Sequence, residues 1–254
     1  MSRVRQLQQK RGWAFATVAA IVKPTFLALT KREWIDGEKI PATGGCVIAV
    51  NHISHIDPLS LGLFLYDHGR IVRYLAKQAI FEVPVLKTIA RDAGQIPVLR
   101  GSTDAALSFQ AACEAALAGE CIGVYPEGTI TKDPDGWPMR GKTGAARIAL
   151  STGVPVIPVG QWGAQEILPA YSARPHLFPR KTTTYKVGDP VDLSAWHGQP
   201  LTTELLHQAT DAIMNDITAL VADIRGEQPP AVRFDPRASG VAEIGNPNKN
   251  RKRR

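Results

Sequence analysis

Cysteine is scarce in this chain, because only Cys46, Cys113 and Cys121 occur among 254 residues. They form no C-x-x-C pair and no even framework, which excludes a disulfide-stabilised scaffold and a cysteine-ligated zinc site. Three unpaired thiols instead indicate a protein of the reducing cytoplasm. A chain of 254 residues that is 44% hydrophobic can form one catalytic-sized domain with a large core.

Long hydrophobic runs are also absent. The most apolar stretch, WAFATVAAIVKPTFLAL at 13–29, is divided by Lys23 and Pro24. Since a helix needs roughly 20 apolar residues to span a bilayer, no transmembrane helix is predicted. No small-residue cleavage site follows the basic start, which argues against a signal peptide. Basic residues before an apolar segment with Trp13 and Phe15 are typical of an interfacial anchor over residues 1–30, although a helix packed on the domain explains the same pattern.

Positive charge is concentrated at the two ends of the chain. The net charge is +7, and the closing NKNRKRR contributes five positive residues and no acidic one. Residues 227–254, rich in Pro, Gly, Asn and Arg, are predicted to form a loose basic tail. Such ends suit an anionic membrane surface, a nucleic acid or simple solvation. The terminal position of the charges, without interleaved aromatic residues, disfavours nucleic acid.

Short apolar runs alternate with helical patterns over residues 31–226. Helices are predicted between Ser102 and Gly119 and between Thr202 and Gly226. Several of the strand-like runs lack polar alternation, which is typical of a sheet covered on both faces. The alternation predicts one α/β domain with a largely parallel mixed sheet flanked by helices. The predicted strands are CVIAV (46–50), RIVRYLA (70–76), CIGVY (121–125), VPVIPVG (154–160) and TTTYKV (182–187).

The stretch AVNHISHIDPLSLG at 49–62 places two histidines and an aspartate within six positions. Asp57 precedes Pro58 and is predicted to cap the helix that follows. His52 would then lie in the loop at the carboxyl end of a buried strand, where open α/β sheets bind ligands. In such a loop the imidazole can fold back on the Asp57 carboxylate. A His–Asp pair of this kind suits a general base that acts on a substrate hydroxyl.

Other interpretations of this stretch remain open. The chain has no G-x-S-x-G motif, and the adjacent Ser54 and His55 are poorly arranged for a serine hydrolase. His52, His55 and Asp57 are suitable metal ligands, but their spacing matches no zinc motif and no fourth ligand is nearby, so no metal is expected. A capping aspartate beside an exposed histidine, without any chemistry, also explains these residues when they are taken alone.

Three further stretches follow NHISHID in order: GQIPVLRG (94–101), VYPEGTI (124–130) and VPVIPVG (154–160). Together with the N-H-x4-D motif they resemble the four blocks of the glycerolipid acyltransferase family, of the bacterial 1-acylglycerol-3-phosphate acyltransferase type, over roughly residues 30–220. The resemblance implies acyl transfer from acyl-CoA or acyl carrier protein to the hydroxyl of a lysophospholipid, which gives phosphatidic acid when the acceptor is 1-acylglycerol 3-phosphate. It implies no covalent acyl-enzyme, no cofactor and a peripheral or monotopic position on the cytoplasmic face of the cell membrane.

The resemblance also implies roles for single residues. His52 would be the base and Asp57 the residue that orients it. A glutamate cannot bind phosphate directly at neutral pH without a cation, so Glu127 is expected to accept a hydrogen bond from a hydroxyl or to clamp a basic residue. The residues expected to hold the phosphorylated acceptor are Arg100, Glu127, Gly128 and Thr129.

One departure from the family pattern leaves the acceptor open. The family often has arginine two residues after the glycine of the third block, where this chain has Ile130. Basic residues follow at Lys132, Arg140 and Lys142, and we expect Lys142 to supply the missing charge, although Arg140 and Lys142 are also explained as solvated residues. The alternatives are therefore an enzyme for glycerol 3-phosphate, another lysolipid or a glycolipid, or a non-catalytic lipid-binding relative.

Overall fold

In a computed structural model of the chain, the described residues are 5, 12–77, 82–98, 102–243 and 245–246. They form strands, α-helices and two short 3-10 helices at Gly37–Lys39 and Ser194–Trp196. The strands are β1 (Thr30–Ile35), β2 (Cys46–Val50), β3 (Val72–Lys77), β4 (Ile96–Val98), β5 (Cys121–Val124), β6 (Val156–Trp162) and β7 (Lys181–Val187). The helices are α1 (Trp13–Leu29), α2 (Asp57–Asp67), α3 (Pro84–Asp92), α4 (Ser102–Leu117), α5 (Gly144–Thr152), α6 (Ala164–Ile167) and α7 (Thr203–Arg225).

The strands form one sheet in the order β1-β7-β6-β2-β5-β3-β4. Only the β6–β7 pair is antiparallel among the described strands, so β1 and β7 run against the other five. This arrangement confirms the predicted largely parallel mixed sheet. The sequence did not predict β1 or β4, because β1 (TKREWI) is mostly polar and β4 has three residues that include Pro97. Pairing with β7 and β3 gives these two segments their extended conformation.

Both faces of the sheet are covered, as the continuous apolar runs predicted. On one face α4, α5 and α7 bury a cluster that includes Ala112, Ile148 and Ile213. On the other face Phe64 of α2 stacks on Tyr185 of β7, with ring centroids 4.9 Å apart. The strand β2 lies between them and is buried at every position. The packing of β2 therefore fixes the backbone position of the residues that directly follow this strand.

The apolar segment of the N-terminal region is a helix, α1. Its amide at Phe15 donates to an oxygen of Asp92 at 2.8 Å, which joins the helix to α3. Its single charged residue, Lys23, is paired with the buried Asp67 and lies over the Tyr66 ring. None of the described helices is both long and apolar enough to cross a bilayer. Residues 1–4 and 6–11 of the predicted anchor lie outside the described residues.

The segment that follows α7 was predicted to be loose, but its described part contacts the domain. The amide of Arg140 donates to the Phe234 carbonyl at 3.0 Å, and its guanidinium pairs with Asp235 at 2.9 Å. Arg233 pairs with Asp211 of α7 at 3.0 Å. These residues are therefore packed on the domain, whereas the basic residues of 247–254 lie outside the described part of the chain.

Candidate active site

The two residues predicted to form a catalytic pair are in contact at the carboxyl end of β2. His52 Nδ1 lies 2.8 Å from Asp57 Oδ2. The same oxygen accepts hydrogen bonds from the amides of Ile53 at 2.7 Å and Ser54 at 2.8 Å. Asp57 is completely buried, while the His52 side chain keeps 16% of its surface exposed. Three donors therefore fix the carboxylate, and the carboxylate fixes the imidazole.

The predicted capping role of Asp57 is wrong. Asp57 is the first residue of α2, and the cap position belongs to Ile56, whose backbone is already helical. The carboxylate points back to the amides of the preceding loop instead of forward to the helix amides. Pro58 has no amide hydrogen, and the amides of Leu59 and Ser60 donate to the Ile56 carbonyl at 3.1 and 3.0 Å, so none of them needs this oxygen. The rigid start of α2 therefore serves as the platform for Asp57.

The contact with Asp57 also determines which nitrogen of His52 carries the proton. A carboxylate can only accept, so Nδ1 carries the proton and Nε2 keeps its lone pair. Among the described residues, Nε2 has no hydrogen-bond partner. The ring stacks on Tyr125, with centroids 4.3 Å apart, which holds its plane. Nε2 is therefore available to accept a proton from a substrate hydroxyl.

Asn51 holds the backbone before His52 in place, and the sequence analysis gave it no role. Its side chain donates to the carbonyl of Gln161 at 3.1 Å and accepts from the Gln161 amide at 2.9 Å. The Gln161 side chain donates to the Asn51 carbonyl and accepts from the Tyr185 hydroxyl at 2.7 Å. This clamp joins the ends of β2 and β6. The sequence did contain a signal for this role, because an asparagine stands directly before the candidate base.

Glu127 has a structural role that the sequence did not predict. Its two oxygens accept from the amides of His52 at 2.7 Å and Met139 at 3.1 Å, not from a basic residue. Burial raises the pKa of Glu127 to about 8, although these two amide bonds oppose the shift. The side chain therefore positions the His52 backbone. Its contact with the acceptor stays a prediction, because Glu127 also lines the adjoining cavity.

The loop after β5 brings Gly128 and Lys142 beside the pair. The Thr131 amide donates to the His52 carbonyl at 2.7 Å, so this loop and the His52 loop are joined twice. Gly128 has a left-handed backbone with φ +69°, and a Cβ there would lie 3.1 Å from Lys142 Nζ. Thr129 is half-buried in the same loop. Arg100, the remaining predicted acceptor residue, lies outside the described residues.

A cavity of about 220 Å³ opens beside this loop. Its wall combines residues of the domain with residues of the C-terminal segment. The charged or titratable side chains that line it are Glu127, Arg140, Lys142, His207, Asp235, Arg237 and Glu243. The cavity is therefore polar, and it adjoins the His52 loop through Glu127, which bonds the His52 amide.

Ser54 and His55, the other polar residues of the motif, have surroundings of their own. The hydroxyl of Ser54 donates to the Leu168 carbonyl at 2.6 Å and is buried, so it cannot act as a nucleophile. His55 is exposed and packs edge-on to Tyr171. Within the described ranges, no three His, Cys, Asp or Glu side chains come together as ligands for a metal ion.

Known proteins share this architecture and sequence. A crystal structure of the 1-acyl-sn-glycerophosphate acyltransferase PlsC from Thermotoga maritima superposes with a TM-score of 0.64 over 85% of this chain and 81% of that chain, at 22% identity. This likeness shows the fold. The chain is 32% identical over 148 residues to a 1-acyl-sn-glycerol-3-phosphate acyltransferase of Borreliella burgdorferi, and the match covers 58% of this chain and 57% of that protein.

Two further relatives carry the same name. A chloroplastic protein of Brassica napus is 31% identical over 137 residues, a match that covers 53% of this chain and 38% of that protein. A protein of Bacillus subtilis is 26% identical over 183 residues, which cover 72% and 84% of the two chains. The chain thus spans less than two thirds of the Brassica and Borreliella proteins.

The family assignment follows from the match of the sequence to a family model. The model of the Acyltransferase family matches residues 32–162, which is just over half of the chain and includes β2, the His52–Asp57 pair and the loop of Glu127. The match confirms the resemblance seen in the four sequence blocks. The chain belongs to the acyltransferase family.

Proposed function

We propose that the chain transfers an acyl group from acyl-CoA or acyl carrier protein to the sn-2 hydroxyl of 1-acylglycerol 3-phosphate, forming phosphatidic acid. The observation that carries the proposal is the His52–Asp57 pair, whose Nε2 is without a partner among the described residues at the carboxyl edge of the sheet. The names of the relatives support the choice of acceptor. Arg100 and Thr129 remain predicted contacts of that acceptor.

The geometry supports direct transfer. The acceptor hydroxyl lies against His52 Nε2, which takes its proton while the oxygen attacks the carbonyl carbon of the thioester. The Asp57 carboxylate stabilises the imidazolium that forms. The tetrahedral intermediate then expels the thiolate by breaking the C–S bond, and the thiolate takes the proton from His52. No covalent acyl-enzyme is required, since the neighbouring hydroxyl of Ser54 is already bound to Leu168.

We also propose that α1 lies on the cytoplasmic face of the membrane as a peripheral or monotopic anchor. The exposed positions of α1 recur every three or four residues and carry no charge: Trp13, Thr17, Ala20, Ile21, Pro24, Thr25 and Ala28. The hydroxyls of Thr17 and Thr25 donate to carbonyls four residues earlier, which lowers the cost of removing them from water. With Lys23 turned toward Asp67, this face suits the interface of a bilayer.

Other exposed apolar side chains lie at the same edge of the sheet as His52. Leu59 lies in the first turn of α2, Val83 precedes α3, and Phe178, which is 78% exposed, precedes β7. Each of these residues lies in a connection to a strand. These connections are on the side of the sheet where β2 and its parallel neighbours end. This arrangement supports a docking geometry in which a lysolipid reaches His52 from the bilayer surface.

The test is product analysis with the purified protein. The protein is incubated with acyl-CoA or acyl carrier protein thioester and, separately, with 1-acylglycerol 3-phosphate, other lysophospholipids, glycerol 3-phosphate and a glycolipid. We expect phosphatidic acid from the first acceptor and none with His52→Ala. A preference for a different acceptor would revise the substrate, and lipid binding without any thioester-dependent product would identify a non-catalytic relative.

A further inference from the structure

One face of the His52 ring is covered by an aromatic side chain. Tyr125 stacks on the imidazole, with ring centroids 4.3 Å apart and an angle of 29° between the two planes. Asp57 contacts the same imidazole at its edge, through Nδ1. The His52 side chain is only 16% exposed, so water covers little of it. A positive charge on this imidazole therefore depends on its protein neighbours for stabilisation.

The strands beneath the site fix the ring of Tyr125. Tyr125 directly follows β5, and its carbonyl accepts from the Gly128 amide at 2.9 Å. The ring of Tyr74, on β3, is nearly parallel to that of Tyr125, with centroids 6.1 Å apart. The Tyr74 hydroxyl donates to the Pro58 carbonyl at 2.7 Å, and a Cβ at Gly123 would lie 2.8 Å from the Tyr74 ring. Tyr125 therefore has little freedom to move away from the imidazole.

Tyr125 presents an uncharged ring to His52. Burial raises the pKa of Tyr125 well above its usual range, and the neighbouring Tyr74 and Asp57 raise it further. The phenol therefore keeps its proton over the pH range in which an imidazole titrates. The Tyr125 hydroxyl is buried and makes no hydrogen bond within the described ranges. The ring face is thus the part of this side chain that acts on His52.

We propose that the ring of Tyr125 stabilises the imidazolium that His52 becomes during acyl transfer, which makes Tyr125 a positioning residue of this enzyme. The inference rests on the proposed function, in which His52 takes the proton of the acceptor hydroxyl. When that proton reaches Nε2, the imidazole gains one positive charge. The face of an aromatic ring attracts a cation within about 6 Å of its centroid. The stack therefore stabilises the charged state more than the neutral starting state, and such a difference accelerates the reaction.

The first measurement uses fluorinated phenylalanines, which separate the charge distribution of the ring from its packing. Tyr125→Phe is the reference, because the hydroxyl that it removes has no partner among the described residues. Phenylalanine with one and then with three ring fluorines at position 125 has an increasingly electron-poor face and nearly the same shape. We expect Tyr125→Phe to keep most of the wild-type kcat. The trifluorinated variant should lose about 2- to 30-fold relative to Tyr125→Phe, with the monofluorinated variant between them.

Position 109 provides the matched control. The guanidinium of Arg147 lies 4.3 Å from the centroid of the Phe109 ring, so this ring also carries a cation, but it packs against the core cluster of α4 and α5. Fluorinated phenylalanine at position 109 should leave kcat unchanged. Equal kcat in all the folded ring variants at position 125 would overturn the inference, even if Tyr125→Leu loses activity, because packing alone would then explain the stack.

The second measurement needs no turnover. Histidine is isotopically labelled in its ring, the His52 signal is assigned with His52→Gln, and its protonation is followed by NMR. The titratable groups that contact His52 besides Tyr125 are Asp57 and Glu127, and none of the ring variants changes them. An electron-poor face disfavours the imidazolium, so the midpoint should lie at lower pH in the trifluorinated variant than in Tyr125→Phe. An unchanged midpoint would contradict the proposal. A lowered midpoint in a protein that forms no acyl product would support the stack and refute the proposed function.

Discussion

Replacing Asp57 by asparagine separates the charge of this side chain from its hydrogen bonds. Asp57 Oδ2 accepts from His52 Nδ1 and from the amides of Ile53 and Ser54. Oδ1 is buried and has no partner among the described residues. In Asp57→Asn the amide oxygen can take the place of Oδ2, and the NH₂ group then replaces an atom that was already unpaired. The variant should keep the loop and lose only the charge.

Asp57→Asn and Asp57→Ala should differ in how much activity and stability they lose. The lost charge weakens one charge-assisted hydrogen bond to the imidazolium, so Asp57→Asn should reduce kcat by about 10- to 150-fold. Asp57→Ala removes every acceptor and leaves two buried amides unpaired, at about 1 to 3 kcal/mol each. We therefore expect Asp57→Ala to be about 2 to 6 kcal/mol less stable than the wild type, and less active than Asp57→Asn.

Two assays separate these effects. Urea unfolding followed by circular dichroism gives the free energy of unfolding, and kcat is measured with both substrates saturating. Lys39→Met is the control for a change of charge far from the site, because Lys39 pairs with Asp189. Wild-type kcat in Asp57→Asn would show that the charge has no role in transfer. Equal stability of the asparagine and alanine variants would show that the three hydrogen bonds do not support the loop.

Three further predictions concern other parts of the chain. His52→Ala should lose about 10²- to 10⁴-fold in kcat with little change in thermal unfolding, and a folded variant with most of its turnover would contradict the mechanism. Because the folded pKa of Glu127 is raised to about 8, the contribution of its protonation to stability is complete below about pH 4.5 and is lost as pH rises through 8. The free energy of unfolding should fall by about 3 to 5 kcal/mol over that range, and urea titrations of Glu127→Ala should lack this slope. Ile21→Asp should weaken co-sedimentation with anionic vesicles, whereas moderate salt should weaken wild-type binding without abolishing it; complete release by salt would argue against apolar insertion.

The sequence by itself determined the strand, loop and helix that carry His52 and Asp57. A buried apolar run ends at Val50, Pro58 marks the first turn of α2, and the five-residue spacing of His52 and Asp57 lets the two side chains meet in the loop. Helix α7 was equally predictable, since Thr202 accepts from the Leu205 amide and Gly226 ends the helix in a left-handed conformation. These features depend on residues a few positions apart, and local propensity and steric preference are sufficient for them.

Only the tertiary structure decided what holds His52 in position. Asn51 is bound by Gln161, which is 110 residues away, and Glu127 bonds the His52 amide across 75 residues. The polar strand β1 is extended because β7 lies beside it, and the C-terminal segment reaches the cavity through Arg140. A polar side chain can bond many different groups. The residues next to it in the sequence do not indicate which of these groups lies close to it in the folded protein. That choice is made by the packing of the whole sheet, because a buried polar group must find its partner among the groups that the core places within reach.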